Sequence, residues 1–275
     1  MRAALIALLL ATAAACAQSP DPVEAQRSQC IEDEDAAPAD QVAACTRYLA
    51  NAKLSPQQRA DALVQRGYLR EDLDQENEAL ADYDAAIAAY PSDANAYQER
   101  SSFYRRHGDA RRALTDISAA IRLQPNAASN YGARATIYDE DLADYAHAIA
   151  DMNTAIDLAP VAYMFNDRCW IRAKARRALD LALADCDRAL TMAPNSASFL
   201  DSRGLAHLQL GEFEAAFADF NAAVKQNEHM THSLYGRGLA ALRLGRTEEG
   251  QADMQAALQQ NEELAQVYAG YGLAP

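Results

Sequence analysis

Tryptophan occurs once in this 275-residue chain, aromatic side chains make up 7% of it, and positive charge is short, with 25 Lys and Arg against 39 Asp and Glu. The resulting net charge of −14 argues against nucleic acid as the main partner, because phosphate binding needs a basic face. After Ala15 no apolar run is long enough to span a bilayer as a helix. G-x-S-x-G, H-E-x-x-H, C-x-x-C and a phosphate-cradling glycine loop are all missing, and with them the local signatures of several enzyme classes. His229 and His232 lack a third metal ligand nearby. The acidic groups Glu32 to Asp35 and Asp139 to Asp141 lack the spacing and glycine of a calcium loop and read as solvated loops. No cofactor, metal or catalytic residue is expected. What the chain does have is a hydrophobic half (50%) rich in alanine, which suits close-packed helices better than a thick central core.

The N-terminus reads as an export signal. Met1 and Arg2 give a short positive segment, and Ala3 to Ala15 has the length of a signal-peptide apolar region. Residues 1–17 are expected to be a signal peptide. Ala13-Ala14-Ala15-Cys16 resembles a lipoprotein signal that ends before Cys16, although leucine is missing three residues before the cysteine. Ala15-Cys16-Ala17 also fits ordinary signal peptidase. A lipid on Cys16 would hold the chain on a membrane surface, and residues 18–26, with Pro20 and Pro22, are expected to be a tether. The expected location is periplasmic, with lipid anchoring through Cys16.

Self-similarity organises the remainder. Pro91, Pro125, Pro160 and Pro194 recur at a period near 34 residues and define six units: 60–93, 94–127, 128–162, 163–196, 197–230 and 231–264. Each predicts two helices, with Gly108, Gly211 and Gly245 at left-handed turns between them. A small-residue column runs through the first helices as Gly67, Ser101, Ala135, Cys169, Gly204 and Gly238. Another runs through the second helices as Ala86, Ala120, Ala155, Ala189, Ala223 and Ala257. Such columns mark close helix crossings.

These units resemble tetratricopeptide repeats over about three-quarters of the chain. The resemblance implies an all-α, helix-turn-helix solenoid forming a right-handed superhelix. Residues 27–59 read as a degenerate N-terminal capping unit, and residues 265–275 as a C-terminal capping helix. Six arginines (66, 100, 134, 168, 203, 237) and six aspartates (82, 116, 151, 185, 219, 253) hold fixed positions 16 or 17 residues apart. They predict a ladder of Arg–Asp pairs that sets register, each exposed pair contributing about 0–1 kcal/mol. Export makes disulfides plausible for Cys30, Cys45, Cys169 and Cys186. Sequence alone permits three pairings. The repeat register favours Cys30–Cys45 and Cys169–Cys186, the alternative being free cysteines acting as small hydrophobes.

In this family the first helices line a concave groove, which places Gln65, Tyr68, Gln98, Ser102, Arg105, Asn166, Trp170, Lys174 and Asp201 as candidate ligand contacts. Trp170 is the preferred anchor, or else packs between units. The lysine and asparagine pattern with which some co-chaperone relatives clamp a carboxylate is absent. Basic clusters at Arg105–Arg112 and Arg172–Arg177 fit an acidic partner or anionic lipid. The expected function is a non-enzymatic scaffold of the bacterial envelope binding a protein or peptide. The alternatives are a structural subunit of an envelope assembly and an auxiliary of a cell-wall enzyme.

Overall fold

The computed structural model describes residues 22–33 and 35–275, so the signal segment, Cys16 and residues 18–21 lie outside the described residues. The described residues form fifteen α-helices and one π-helical turn, with no strand among them. None of these helices is long and apolar enough to cross a membrane.

The first of two compact units ends at Pro91. It holds α1 (Pro22–Ile31), α2 (Pro38–Leu49), α3 (Pro56–Glu71) and α4 (Glu76–Ala89). The expected tether therefore stops early. Residues 22–26 form the first turns of α1, with proline at the start, where its missing N–H costs nothing, and Glu24 in the first turn. A capping box between Ser55 and Gln58 fixes the start of α3. Cys30 and Cys45 form a disulfide that ties α1 to α2, with Cα atoms 4.5 Å apart. Tyr48, Leu54 and Leu69 complete a small core around it.

The second unit runs from Ser92 to Pro275. Its five helix pairs are α5 (Ala94–Arg106) with α6 (Ala110–Leu123), α7 (Ala128–Thr136) with α8 (Tyr145–Leu158), α9 (Ala162–Lys174) with α10 (Leu179–Met192), α11 (Ala197–Leu210) with α12 (Phe213–Gln226), and α13 (Thr231–Arg243) with α14 (Thr247–Gln260). The short α15 (Leu264–Gly270) follows. Aspartates 93, 109 and 144 accept backbone N–H bonds at the starts of α5, α6 and α8. Gly108, Gly211 and Gly245 turn the chain at φ of 73°, 78° and 77°.

Two repeats carry one residue more between their helices. In repeat three it is absorbed by the π-helical turn Ile137–Asp141 at the end of α7, followed by Ala143 at φ 51°. In repeat four it is absorbed in the turn, where Arg176 and Ala178 adopt φ of 53° and 48°.

Small residues let the paired helices touch. A Cβ added to Gly250 would stand 2.7 Å from the carbonyl oxygen of Gly238. Ile156 with Met164, and Leu190 with Leu200, seal successive pairs. Cys169 and Cys186 join α9 to α10 in a disulfide, with Cα atoms 5.5 Å apart, inside a core that continues through repeats four to six to Tyr268 of α15.

The arginine column does more than the spacing suggested. Each arginine grips the aspartate of its own repeat through two nitrogens, as Arg134 does with Asp151 at 2.7 and 2.8 Å. From Arg66, Arg134, Arg168, Arg203 and Arg237 the Nη1 then reaches the second helix of the preceding pair. It meets Thr46 from Arg66, Ser118 from Arg134, Asn153 from Arg168, Asp187 from Arg203 and Asn221 from Arg237, at 2.7–3.2 Å. Five of the aspartates are buried, at 3–7% exposure. The expectation of exposed pairs worth little is thus corrected, because removing an arginine would leave a buried carboxylate charge uncompensated.

Candidate interaction trough

The first helices of repeats two to four open three hollows that share lining residues. One of about 310 Å³ is bordered by Gln98, Ser102, Arg105, Asn130 and Thr136. A second, about 240 Å³, is bordered by Ala133, Thr136, Tyr163 and Asp167. The third, about 110 Å³, is bordered by Thr136, Asp139, Glu140, Asp167 and Trp170. Thr136 touches all three, so they form one trough across α5, α7 and α9.

The trough is polar and only partly satisfied. Gln98 donates from Nε2 to Asn130 Oδ1. Asn130 is 1% exposed, yet its Nδ2 finds no acceptor among the described residues. Asn166 is buried with Oδ1 unpartnered, and so is Asp139 with its Oδ1. Burial pushes the Asp167 carboxyl up to about 6, with the charges of Asp139 and Glu140 adding to the shift and a hydrogen bond from Asn166 opposing it.

Of the residues singled out from sequence, Gln98, Ser102 and Arg105 line the largest of these three hollows, and Trp170 walls the smallest of them. Arg105 is not free. It pairs with Glu140, and with Asp141 at 3.1 Å.

Lys174 is buried rather than presented, bonded to Asp139 at 2.7 Å. Asp139 had read as part of a solvated loop; the π-helical turn instead carries it inward to 8% exposure. Asp201, also expected at the surface, is buried, accepting from Ser233 Oγ at 2.5 Å with His232 Nδ1 at 3.2 Å.

Trp170 is half-buried against the chain's own C-terminal part. Its ring centroid lies 4.9 Å from that of His232 and 6.1 Å from that of Tyr271. Of the expected contacts in the first unit, Tyr68 is 50% exposed and Gln65 half-buried.

Half of the basic cluster of repeat four is spent internally, while Arg176 and Arg177 are exposed. Arg172 pairs with Asp185 and Lys174 with Asp139. Sequence reasoning passed over Asn130 and Asp167, which occur at non-repeating positions, and placed Asp139 in a solvated loop. Polar residues on the inner side of first helices were the only signal that could have found them.

Paired antiparallel helices with small-residue crossings and a repeated Arg–Asp staple define an α-helical repeat protein. Tetratricopeptide repeat models match residues 60–93 and 128–161, and a further one residues 170–235. The chain is a tetratricopeptide-repeat protein.

A tetratricopeptide repeat protein from Parabacteroides merdae ATCC 43184 is similar in structure at 16% identity. The match covers 91% of this chain and 98% of that one, with a TM-score of 0.69. PilW, a widely conserved type IV pilus biogenesis factor, is similar at 17% identity over 76% of this chain and 96% of its own, with a TM-score of 0.65. YrrB, a tetratricopeptide-repeat protein with an unusual peptide-binding site, is similar at 19% identity over 70% and 98%, with a TM-score of 0.51. No curated protein matches the sequence.

Proposed function

We propose that this chain is a non-enzymatic scaffold of the bacterial envelope that receives a partner protein or peptide in the trough of repeats two to four. The observation that carries the reading is the trough itself. Asn130 Nδ2 and Asp139 Oδ1, on side chains that border the trough, are buried without partners, and such atoms are retained at a cost unless something bonds them. A peptide backbone offers the donors and acceptors they lack. The likeness to YrrB, whose peptide-binding site is noted above, supports this reading, and the likeness to PilW supports an envelope role. Lipid attachment through Cys16 and periplasmic residence belong to the same proposal and rest on the N-terminal sequence.

The test is in-cell crosslinking of tagged full-length chain, read by mass spectrometry, beside Ala133→Tyr. Ala133 is exposed and borders two of the hollows, so a tyrosine there fills the trough without touching the core. A discrete envelope partner lost in the variant is the expected result. A large assembly retained in the variant would favour the structural-subunit reading.

A further inference from the structure

The smallest hollow differs in kind from the other two. It holds about 110 Å³, room for roughly three or four waters at about 30 Å³ each. Three carboxylates border it, Asp139 and Glu140 from the π-helical turn of repeat three and Asp167 from α9, and the indole of Trp170 forms one wall.

Asp139 spends one oxygen on Lys174. The other is buried and unpartnered. Asp167 receives only a long amide contact from Asn166, at 3.4 Å, and no cation pairs with it among the described residues. Glu140, at the rim, is neutralised by Arg105. One lysine thus serves two inward carboxylates, which leaves about one negative charge uncompensated in a semi-enclosed space beside an aromatic face. The π-helical turn that aims Asp139 inward is the kind of local irregularity that recurs at functional sites.

The geometry points to a cation-binding recess between repeats three and four, occupied by the side-chain ammonium or guanidinium of a lysine or arginine on the partner polypeptide. Such a group supplies donors to Asp139 Oδ1 and Asp167 together, beside an indole over which Lys174 Nζ already lies at 5.7 Å. The neighbouring hollow of about 240 Å³, which shares Thr136, Met152 and Asp167, leaves space for the backbone carrying that side chain. The chain's net charge of −14 favours encounter with a basic segment. The inference rests on the scaffold reading and names what the trough selects.

Trp170 is the only tryptophan, so its fluorescence reports the recess directly. The full chain is titrated with acetylated, amidated Gly-Arg-Gly, Gly-Lys-Gly and the citrulline counterpart, which keeps the shape of arginine and removes its charge. A saturable change with the arginine or lysine peptide, absent with citrulline, is expected. Which of the two binds tighter decides between guanidinium and ammonium.

Asp167→Asn should weaken that binding by about tenfold or more. It removes an unpaired charge and leaves the Lys174–Asp139 pair intact, so circular dichroism should show an intact fold. Equal titrations with arginine and citrulline peptides, or unchanged affinity in Asp167→Asn, would overturn the recess. Either result leaves the scaffold reading standing if the wild-type chain still captures a partner on crosslinking. Failure of the scaffold reading shows separately, as no partner in wild type.

Discussion

Trp170 and Tyr271 meet edge to face across the inner side of the second unit, their ring centroids 6.1 Å apart. The contact is one of several made by the segment after α15. Gln209 Nε2 donates to the Tyr271 carbonyl at 2.8 Å, and Arg243 donates to that of Ala274 at 2.8 Å. His232 faces Tyr271 with ring centroids 6.2 Å apart. Residues 271–275 therefore strap repeats four to six from within.

Ending the chain at Gly270 should move Trp170 emission to longer wavelength as water reaches the indole. It should also lower unfolding free energy by about 1–3 kcal/mol, the range for losing one aromatic pair plus its hydrogen bonds. Emission unchanged from wild type would show that the strap does not shield the indole.

Arg134 and Asp151 are half-buried and buried, with 22% and 9% of their side chains exposed. Arg134→Ala should cost about 3 kcal/mol, because it strands a buried carboxylate. In a double-mutant cycle with Asp151→Ala, a coupling of about 2 kcal/mol is expected in denaturant melts. Arg134→Lys should restore little, since one ammonium cannot replace a guanidinium that spans Asp151 and Ser118. Strict additivity in the cycle would count against the staple.

What could be read from sequence was whatever repeats. The helix pairs, the alanine and glycine columns and the Arg–Asp partners recur at one spacing, so six copies vote for each position. Cys169 was legible because it stands in such a column. The strap, the buried Lys174–Asp139 pair and the unpaired Asp167 occur once each. Periodicity says nothing about which non-repeating side chains meet. The extra residue of repeat three was visible as a spacing of 17, but a spacing does not say whether a turn lengthens or a helix widens. Here the widening moved Asp139 from an expected solvated loop to the interior.

Gly250 and Gly238 test the close crossing of α13 and α14. Gly250→Ala places a methyl group 2.7 Å from the Gly238 carbonyl oxygen and 2.8 Å from Leu242 Cγ. A loss of about 1–3 kcal/mol is expected from overpacking. Gly132→Ala is the matched control. A Cβ there meets nothing within 4 Å, so better helix propensity should raise stability by about 0.5–1 kcal/mol. Equal melting temperatures for the two variants would contradict the packing described.

Asp167 predicts a specific pH signature. Its folded value, about 6, lies above the ordinary aspartate value of 3.8, so its ionisation disfavours the folded state. The penalty is absent below the unfolded value, grows as pH rises through the interval, and is complete above about 6. Asp139 and Glu140 face it with like charge, the first paired with Lys174 and the second with Arg105. Asp167→Asn should therefore be more stable than wild type at pH 7, by about 1–3 kcal/mol, with the gap closing near pH 4. The check is paired thermal melts across that range, and a constant gap would rule the assignment out.

The Cys169–Cys186 bond also governs the order of assembly. Its partners are 17 residues apart, and closing a loop of that size removes about 3 kcal/mol of chain entropy before any helix forms. In an oxidised chain the hairpin of α9 and α10 starts the search already tethered, whereas the other pairs of the second unit must find each other unaided. Because each repeat draws its stability mainly from its neighbours, growth can begin at any one of them. The crosslink makes repeat four the favoured nucleus, from which folding spreads toward α5 on one side and α15 on the other.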